Sequence, residues 1–405
     1  MAAFPEGSTW PLDGSLDLDL AEPVAHRPFA VYVHVPFCTV RCGYCDFNTY
    51  TKDFGPGADR ASYTDSVAAE IEISRRVLTE AELLPRPIES IFFGGGTPSL
   101  LEPSAIGEII TRLDDTFGVT AGAEITLEVN PETATYSRMT GFQSAGVNRV
   151  SVGMQSSVPR VLDVLDRQHH PAKVTETIQI SKDLGLRNSV DLIYGAPTET
   201  LEEWKRSVED ALTLEPDHLS AYSLIVEQGT KMAAMITRGE LPQTDPDLDA
   251  DKYRLADQTL ATAGYQWYEI SNFAKTPSDR SVHNLAYWRD WDWWGYGPGA
   301  HSHVGRQRWW NVKHPLAYAA RLAEGTSPGL EGEALTEEDR RTERVMLGIR
   351  TLEGLPAGGV PAEVAHSLVD DGLVEADQLE RGRLVLTLNG RLLADHVTRM
   401  ILGWP

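Results

Sequence analysis

Residues 34–47 read HVPFCTVRCGYCDF and hold all three cysteines of the 405-residue chain, Cys38, Cys42 and Cys45. Structural thiols scatter through a core as small apolar side chains, and disulfide frameworks use even counts spread over short secreted domains. Three thiols gathered in one loop fit neither habit and read as one set of metal ligands. The spacing Cys-x3-Cys-x2-Cys lets a single loop wrap three corners of a four-iron cubane, which leaves one iron open to a small molecule. A blander alternative is a zinc site completed by a histidine such as His34. Zinc sites generally use pairs of Cys-x2-Cys or Cys-x4-Cys, and only one such pair is present.

The loop follows AVYVHV (30–35), the first of several short runs with strand character. The others are SIFFGG (90–95), EITLEV (124–129), RVSVG (149–153), SVDLIYG (189–195) and HLSAYSL (218–224). Stretches of helical period lie between them, at Ser62 to Leu78, Ala105 to Thr116, Ala134 to Ala145, Lys173 to Leu184 and Leu201 to Leu212. Alternation of this kind predicts an α/β fold of parallel strands joined by right-handed crossovers, and six units fit a partial (β/α)6 barrel as well as an open sheet. Because Cys38 follows Val35 so closely, the thiols sit at the carboxyl end of the first strand, where α/β barrels keep their active sites. The barrel is therefore expected over residues 28–240. Residues 1–27, rich in Gly, Pro and Asp, suggest a flexible arm or one lying across the surface. An aromatic-rich extension is expected over 241–334, with a helix from Asp245 to Gly264, the run YQWYEIS (265–271) and a Trp- and Tyr-dense stretch from His283 to Trp310. From about Leu335 a small α+β domain is expected, winged-helix-like, over 335–405. It has helices at Glu337–Arg350 and around Pro361–Asp371, the run VLTLN (385–389) and a closing helix at Gly390–Ile401.

Fifty-nine Asp and Glu against thirty-six Lys and Arg give a formal charge of −23, a field that repels phosphate backbones, so nucleic acid is not an expected partner. No run of about eighteen apolar residues marks an integral membrane segment, and the acidic start MAAFPEGSTWPLDGSLDLDL lacks the order of a signal peptide. A cytoplasmic location is expected, where reducing conditions keep thiols free for iron or zinc.

The motif Cys38-x3-Cys42-x-Tyr44-Cys45 resembles the signature of the radical S-adenosylmethionine (radical SAM) superfamily. That resemblance implies a 4Fe-4S cluster whose open iron is chelated by S-adenosylmethionine, and reductive cleavage of the sulfonium to a 5'-deoxyadenosyl radical. Phe93-Gly94-Gly95-Gly96-Thr97-Pro98 ends the second strand, where glycines allow close backbone approach to a ligand. From about residue 30 to 402 the chain resembles the branch that contains oxygen-independent coproporphyrinogen III oxidase and the HemW-type haem chaperones. By that resemblance Tyr32 and Tyr44 flank the cofactor, Gly95, Gly96 and Thr97 hold its amino acid end, and Glu128, Gln155, Arg167 and Asp191 complete the pocket. Glu128 and Asp191 suit an ammonium or ribose hydroxyls, and Arg167 suits a carboxylate.

Two departures separate the branches. The oxidase carries a fourth cysteine two residues after the third, and this chain has Phe47 there. His283-Asn284-Leu285-Ala286-Tyr287-Trp288 resembles the His-Asn-x-x-Tyr-Trp motif of the HemW-type chaperones. The resemblance implies haem as a bound group and haem-accepting proteins, such as those of the respiratory chain, as partners. Tyr287, Trp288, Trp291, Trp293, Trp294 and Tyr296 offer stacking area for a porphyrin, and His283, with His301 and His303 behind it, offers an axial nitrogen. The competing account of this stretch is plain aromatic core. Two other functions stand beside the chaperone: a radical SAM enzyme acting on a porphyrin, such as an oxygen-independent coproporphyrinogen III dehydrogenase, and a zinc-binding structural module.

Overall fold

A computed structural model describes residues 6–21, 27–52, 54–55 and 58–404. A two-residue strand, β1 (Ser8–Thr9), precedes β2 (Phe29–Val35), β3 (Ile88–Gly95), β4 (Val119–Val129), β5 (Arg149–Gln155), β6 (Arg187–Tyr194) and β7 (His218–Ser223). Strands β2 to β7 pair in parallel in chain order. Their apolar runs, buried on both faces, are what parallel strands under helices require. Between them run α1 (Tyr63–Glu80), α2 (Pro103–Phe117), α3 (Tyr136–Ser144), α4 (Pro159–Val164), α5 (Pro171–Asp183) and α6 (Leu201–Thr213). On α2, Ile106, Ile109, Ile110, Leu113 and Phe117 recur at helical spacing and are all buried. Thr200 and Glu203 form a reciprocal capping box that starts α6 after its strand.

The expected extension does not stand apart from the barrel. After α7 (Lys231–Thr237) and α8 (Pro246–Thr262), β8 (Gln266–Glu269) and β9 (Asn272–Ala274) add antiparallel strands beyond β7. The chain then forms α9 (Val282–Trp288) and crosses to the other side, where β10 (Asp292–Tyr296) pairs in parallel with β2. Strands β11 (His301–Val304), β12 (Gln307–Asn311) and, after α10 (Pro315–Ala323), β13 (Gly329–Ala334) follow antiparallel. Among the described residues one sheet of thirteen strands results, with β1 and β8 as its two edges, so the parallel strands make a partial and not a closed barrel.

Residues 6–21 depart from a flexible arm. β1 pairs with β13, Trp10 and Leu16 are buried, and the Trp10 ring stacks on Trp309 with centroids 4.8 Å apart. Apolar burial by these two residues anchors a stretch whose composition otherwise looks mobile. Residues 1–5 and 22–26 of that expected arm lie outside the described residues. Beyond residue 335 come α11 (Glu337–Gly348), α12 (Ala362–Asp370), α13 (Ala376–Glu380), α14 (Leu388–Leu392) and α15 (Ala394–Leu402). A two-stranded sheet of β14 (Leu355–Pro356) and β15 (Arg383–Leu384) joins them. They share a core of their own built on Ile349, Leu368, Leu384 and Val397. Within the run VLTLN, Thr387 caps α14. No helix among the described residues is long and apolar enough to cross a membrane.

Candidate functional site

The ligand loop leaves the carboxyl end of β2 and is pinned where it begins and ends. Cys38 N–H donates to the Tyr50 carbonyl at 2.9 Å, and Tyr50 N–H donates to Pro36 at 2.7 Å. Asn48 clamps the return limb, its side-chain amide donating to the carbonyls of Pro298 and Lys313 at 2.8 Å each. Between these ties the three free thiols, each half-buried, face one cavity of about 550 Å3. Tyr44, Gly95, Gly96, Thr97, Glu128, Gln155, Arg167 and Asp191 line the same cavity, so residues spread over more than 150 positions converge because parallel strands end on one side.

Burial pushes the Cys38 thiol up to about 11, with the other two thiols adding to the shift and the Thr97 hydroxyl, 3.7 Å from Sγ, opposing it. Cys45 is raised by burial as well. Such thiols keep their protons at neutral pH and release them to a metal. The glycine turn follows the same wall. A Cβ on Gly96 would meet the carbonyl oxygens of Phe37 and Val35 at 2.6 and 2.9 Å and Cys38 Sγ at 3.1 Å, and Gly95 has φ +112°.

Glu128 and Asp191 share the cavity floor with neutral partners. Gly95 N–H donates to Glu128 at 3.0 Å, and the hydroxyls of Ser151 and Ser220 donate to Asp191 at 2.8 Å each. Burial, then the nearby Asp191 charge, lifts Glu128 to about 7 against the pull of Gly95 N–H. Burial raises Asp191 too. Two crowded carboxylates of this kind favour a cation beside them. Arg167 places Nη1 3.4 Å from Cys42 Sγ and Nη2 3.3 Å from the Gly153 carbonyl, while its buried Nε–H has no partner. Three thiols, two carboxylates held by neutral donors and a guanidinium with a spare donor fit a cluster joined by a cofactor that bears a sulfonium, an amino group and a carboxylate.

Zinc finds less here. His34, its proposed fourth ligand, has Nδ1 3.0 Å from the Tyr32 hydroxyl and Nε2 2.9 Å from the Asn48 carbonyl, so both ring nitrogens are engaged. Among the described residues no three His, Cys, Asp or Glu side chains converge as ligands of a single ion. In a cubane each thiolate binds a different iron.

Residues 32–211 match the family model of the radical SAM superfamily. The heme chaperone HemW of Mycobacterium tuberculosis is 42% identical over 385 residues, 94% of this chain and 96% of that protein. The chain belongs to the HemW family. The heme chaperone HemW of Bacillus subtilis is 31% identical over 92% of this chain and 99% of that protein. The fold matches that of coproporphyrinogen III oxidase HemN from Escherichia coli, with a TM-score of 0.77 at 23% identity over 97% of this chain and 96% of that one.

In this HemW-family chain the HNLAYW run forms α9, and it is packed inward. His283 is 1% exposed, with Nδ1 2.9 Å from Ser90 Oγ and Nε2 3.0 Å from the Tyr287 hydroxyl, and burial lowers it to about 3. Both nitrogens are engaged inside the protein, and Phe92 stacks on the ring at 4.9 Å. The Tyr32 hydroxyl bonds His34 Nδ1 at 3.0 Å, and its ring lies 6.3 Å from that of His283. His303 is buried with Nε2 on the Gly305 carbonyl at 2.9 Å, whereas His301 is exposed beside Trp310.

Sequence reasoning overlooked Ser151, Ser220 and His169. The two serines were legible as polar residues that neighbour Glu128 and Asp191 in the strand register. His169, two residues after Arg167, lines the cavity, and burial, then the nearby Arg167 charge, lowers it to about 4 against the Met154 backbone. Phe47, in place of a fourth thiol, stands 54% exposed at the cavity mouth.

Proposed function

We propose that this protein is a haem chaperone that holds a 4Fe-4S cluster on Cys38, Cys42 and Cys45, binds S-adenosylmethionine in the adjoining pocket and passes haem to haem-requiring proteins, including those of the respiratory chain, in the cytoplasm. The observation that carries the haem assignment is the likeness, over nearly the whole length of both chains, to proteins named heme chaperone HemW. The cavity itself supports the two cofactors. When bound, the cluster supplies an electron and an open iron for the amino and carboxylate groups of S-adenosylmethionine. The chain's residues do the holding. Arg167 Nε–H is spare for the carboxylate, Glu128 and Asp191 for the positive groups, and Gly96 leaves room between the cysteine loop and the bound molecule. Phe47 cannot ligate iron, so the loop offers three thiols and an apolar side chain at the mouth.

Anaerobic reconstitution followed by haem titration, with and without S-adenosylmethionine, tests this reading. Stoichiometric haem uptake with no porphyrin turnover is expected. Porphyrin-dependent formation of 5'-deoxyadenosine would favour a radical enzyme, and zinc without iron in the metal analysis would favour the structural module.

A further inference from the structure

Beside the cofactor cavity lies a second one of about 520 Å3, continuous with it through Tyr44, Phe47, Glu128, Ser151, Gln155 and Asp191. Its floor holds polar groups that the chain leaves unused. His218 is 2% exposed and lines this cavity, with Nε2 2.8 Å from the Tyr268 hydroxyl. The Tyr268 oxygen already accepts from Ser281 N–H at 3.1 Å, which leaves its own proton for His218 Nε2. The imidazole proton therefore sits on Nδ1, which has no partner. Thr126 Oγ1, 1% exposed as a residue and on the same wall, has none either. Arg149 lines the cavity as well, paired with Glu124 at 3.3 Å and donating to Ser189 Oγ at 2.9 Å. Asp46, Glu128, Asp191 and Glu227 line this cavity too, Glu128 and Asp191 where it meets the first one.

The rim is of opposite character. Phe47, Tyr222 and Ile225 are 54%, 40% and 71% exposed around the opening, a cost that a bound apolar body would remove. Asn284, from the first turn of α9, completes the wall. Its position is set by the same chain of bonds: its N–H donates to Ser281 Oγ at 3.2 Å, and Ser281 N–H reaches Tyr268 and through it His218.

We propose that this second cavity seats the haem, its propionate carboxylate against His218 Nδ1–H, the Thr126 hydroxyl and the Asn284 amide, and its apolar ring against Phe47, Tyr222 and Ile225. The inference rests on the haem reading above and gives it a place. It also reassigns the HNLAYW run: Asn284 meets the ligand, and His283 is a positioning residue that fixes α9 through Ser90 and Tyr287.

Protoporphyrin IX, free of iron, is the probe, titrated by fluorescence into the anaerobically reconstituted full chain. Ile225→Glu is expected to weaken binding about tenfold and the near-isosteric Thr126→Val about fivefold, both with iron content unchanged, and the dimethyl ester of the porphyrin to bind about tenfold more weakly than the acid. His218→Phe serves as a third variant, and Thr126→Val keeps the test decisive where that one fails to fold. Wild-type affinity in both Ile225→Glu and Thr126→Val, or equal affinity for acid and ester, overturns this seat while leaving haem binding standing. A wild-type protein that binds neither haem nor protoporphyrin overturns both readings.

Discussion

The cysteine loop and the aromatic stretch from His283 to Trp310 are both dense in chemistry-bearing side chains, yet one opens onto a cavity and the other closes on itself. The thiols of the loop point into space shared with four other strand ends, whereas Trp294, Tyr296, Trp309 and Trp310 are buried and Trp309 lies edge-on to Trp294 at 4.9 Å. The lesson is about where a motif sits. At the carboxyl end of a parallel strand, backbone direction aims the following loop at a common centre. Aromatic residues on antiparallel strands are instead drawn together by the area they bury, and their density reports core before it reports a ligand.

The contrast breaks most visibly at Cys42. Cys42→Ala is expected to abolish a full 4Fe-4S complement on reconstitution, read as iron and sulfide per chain, and an intact cluster would remove the thiol from the ligand set. Gly96→Val comes next. Its side chain would press on two carbonyl oxygens and on Cys38 Sγ, so iron content should fall along with cofactor affinity, and normal iron would confine Gly96 to the cofactor side. On the aromatic side, Trp309→Ala should cost about 3–5 kcal/mol in chemical denaturation while iron per folded chain stays unchanged. A cheap truncation there would mean that the ring is not core.

The acid pair gives a smaller effect of defined sign. With Glu128 raised from 4.5 to about 7, the native protein keeps a proton that the unfolded chain has lost. Its contribution to stability therefore falls as pH rises from about 4.5 towards about 7. A cation bound beside it prefers the ionised form, so S-adenosylmethionine affinity should rise up to about tenfold between pH 6 and 7. Calorimetric titration of wild type and Glu128→Gln checks this, the variant being expected to show a flat profile. Least in magnitude, His283→Ala should lower stability by about 1–3 kcal/mol through its lost hydrogen bonds and leave the Soret band in place. A shifted Soret band would restore His283 as an iron ligand.

Much of the barrel was legible in the chain. All six expected runs fall on β2 to β7, overrunning a strand's end by one residue at most, because Val, Ile, Leu and Phe in short blocks bounded by turns have few other homes in an α/β pattern. Glu128 and Asp191 were legible for a related reason, since a carboxylate inside an apolar strand needs a purpose. The return of β10 to β2 was not legible. WWGY is buried on nearly every side and so lacks the alternation that marks a strand, and its partner lies some 260 residues earlier. The contacts of His283 and Tyr32 were not legible, because a motif names residue types and not the neighbours that occupy their polar atoms.

That late return has a consequence for how the protein is made. A ribosome releases Cys38, Cys42 and Cys45 early, but the carbonyls that Asn48 grips belong to Pro298 and Lys313, and the strand that flanks β2 is Asp292–Tyr296. Until about three quarters of the chain has emerged, the thiols hang on a loop with one side of its frame missing. Iron delivered to the nascent chain would meet an unfinished mould, so loading belongs after synthesis.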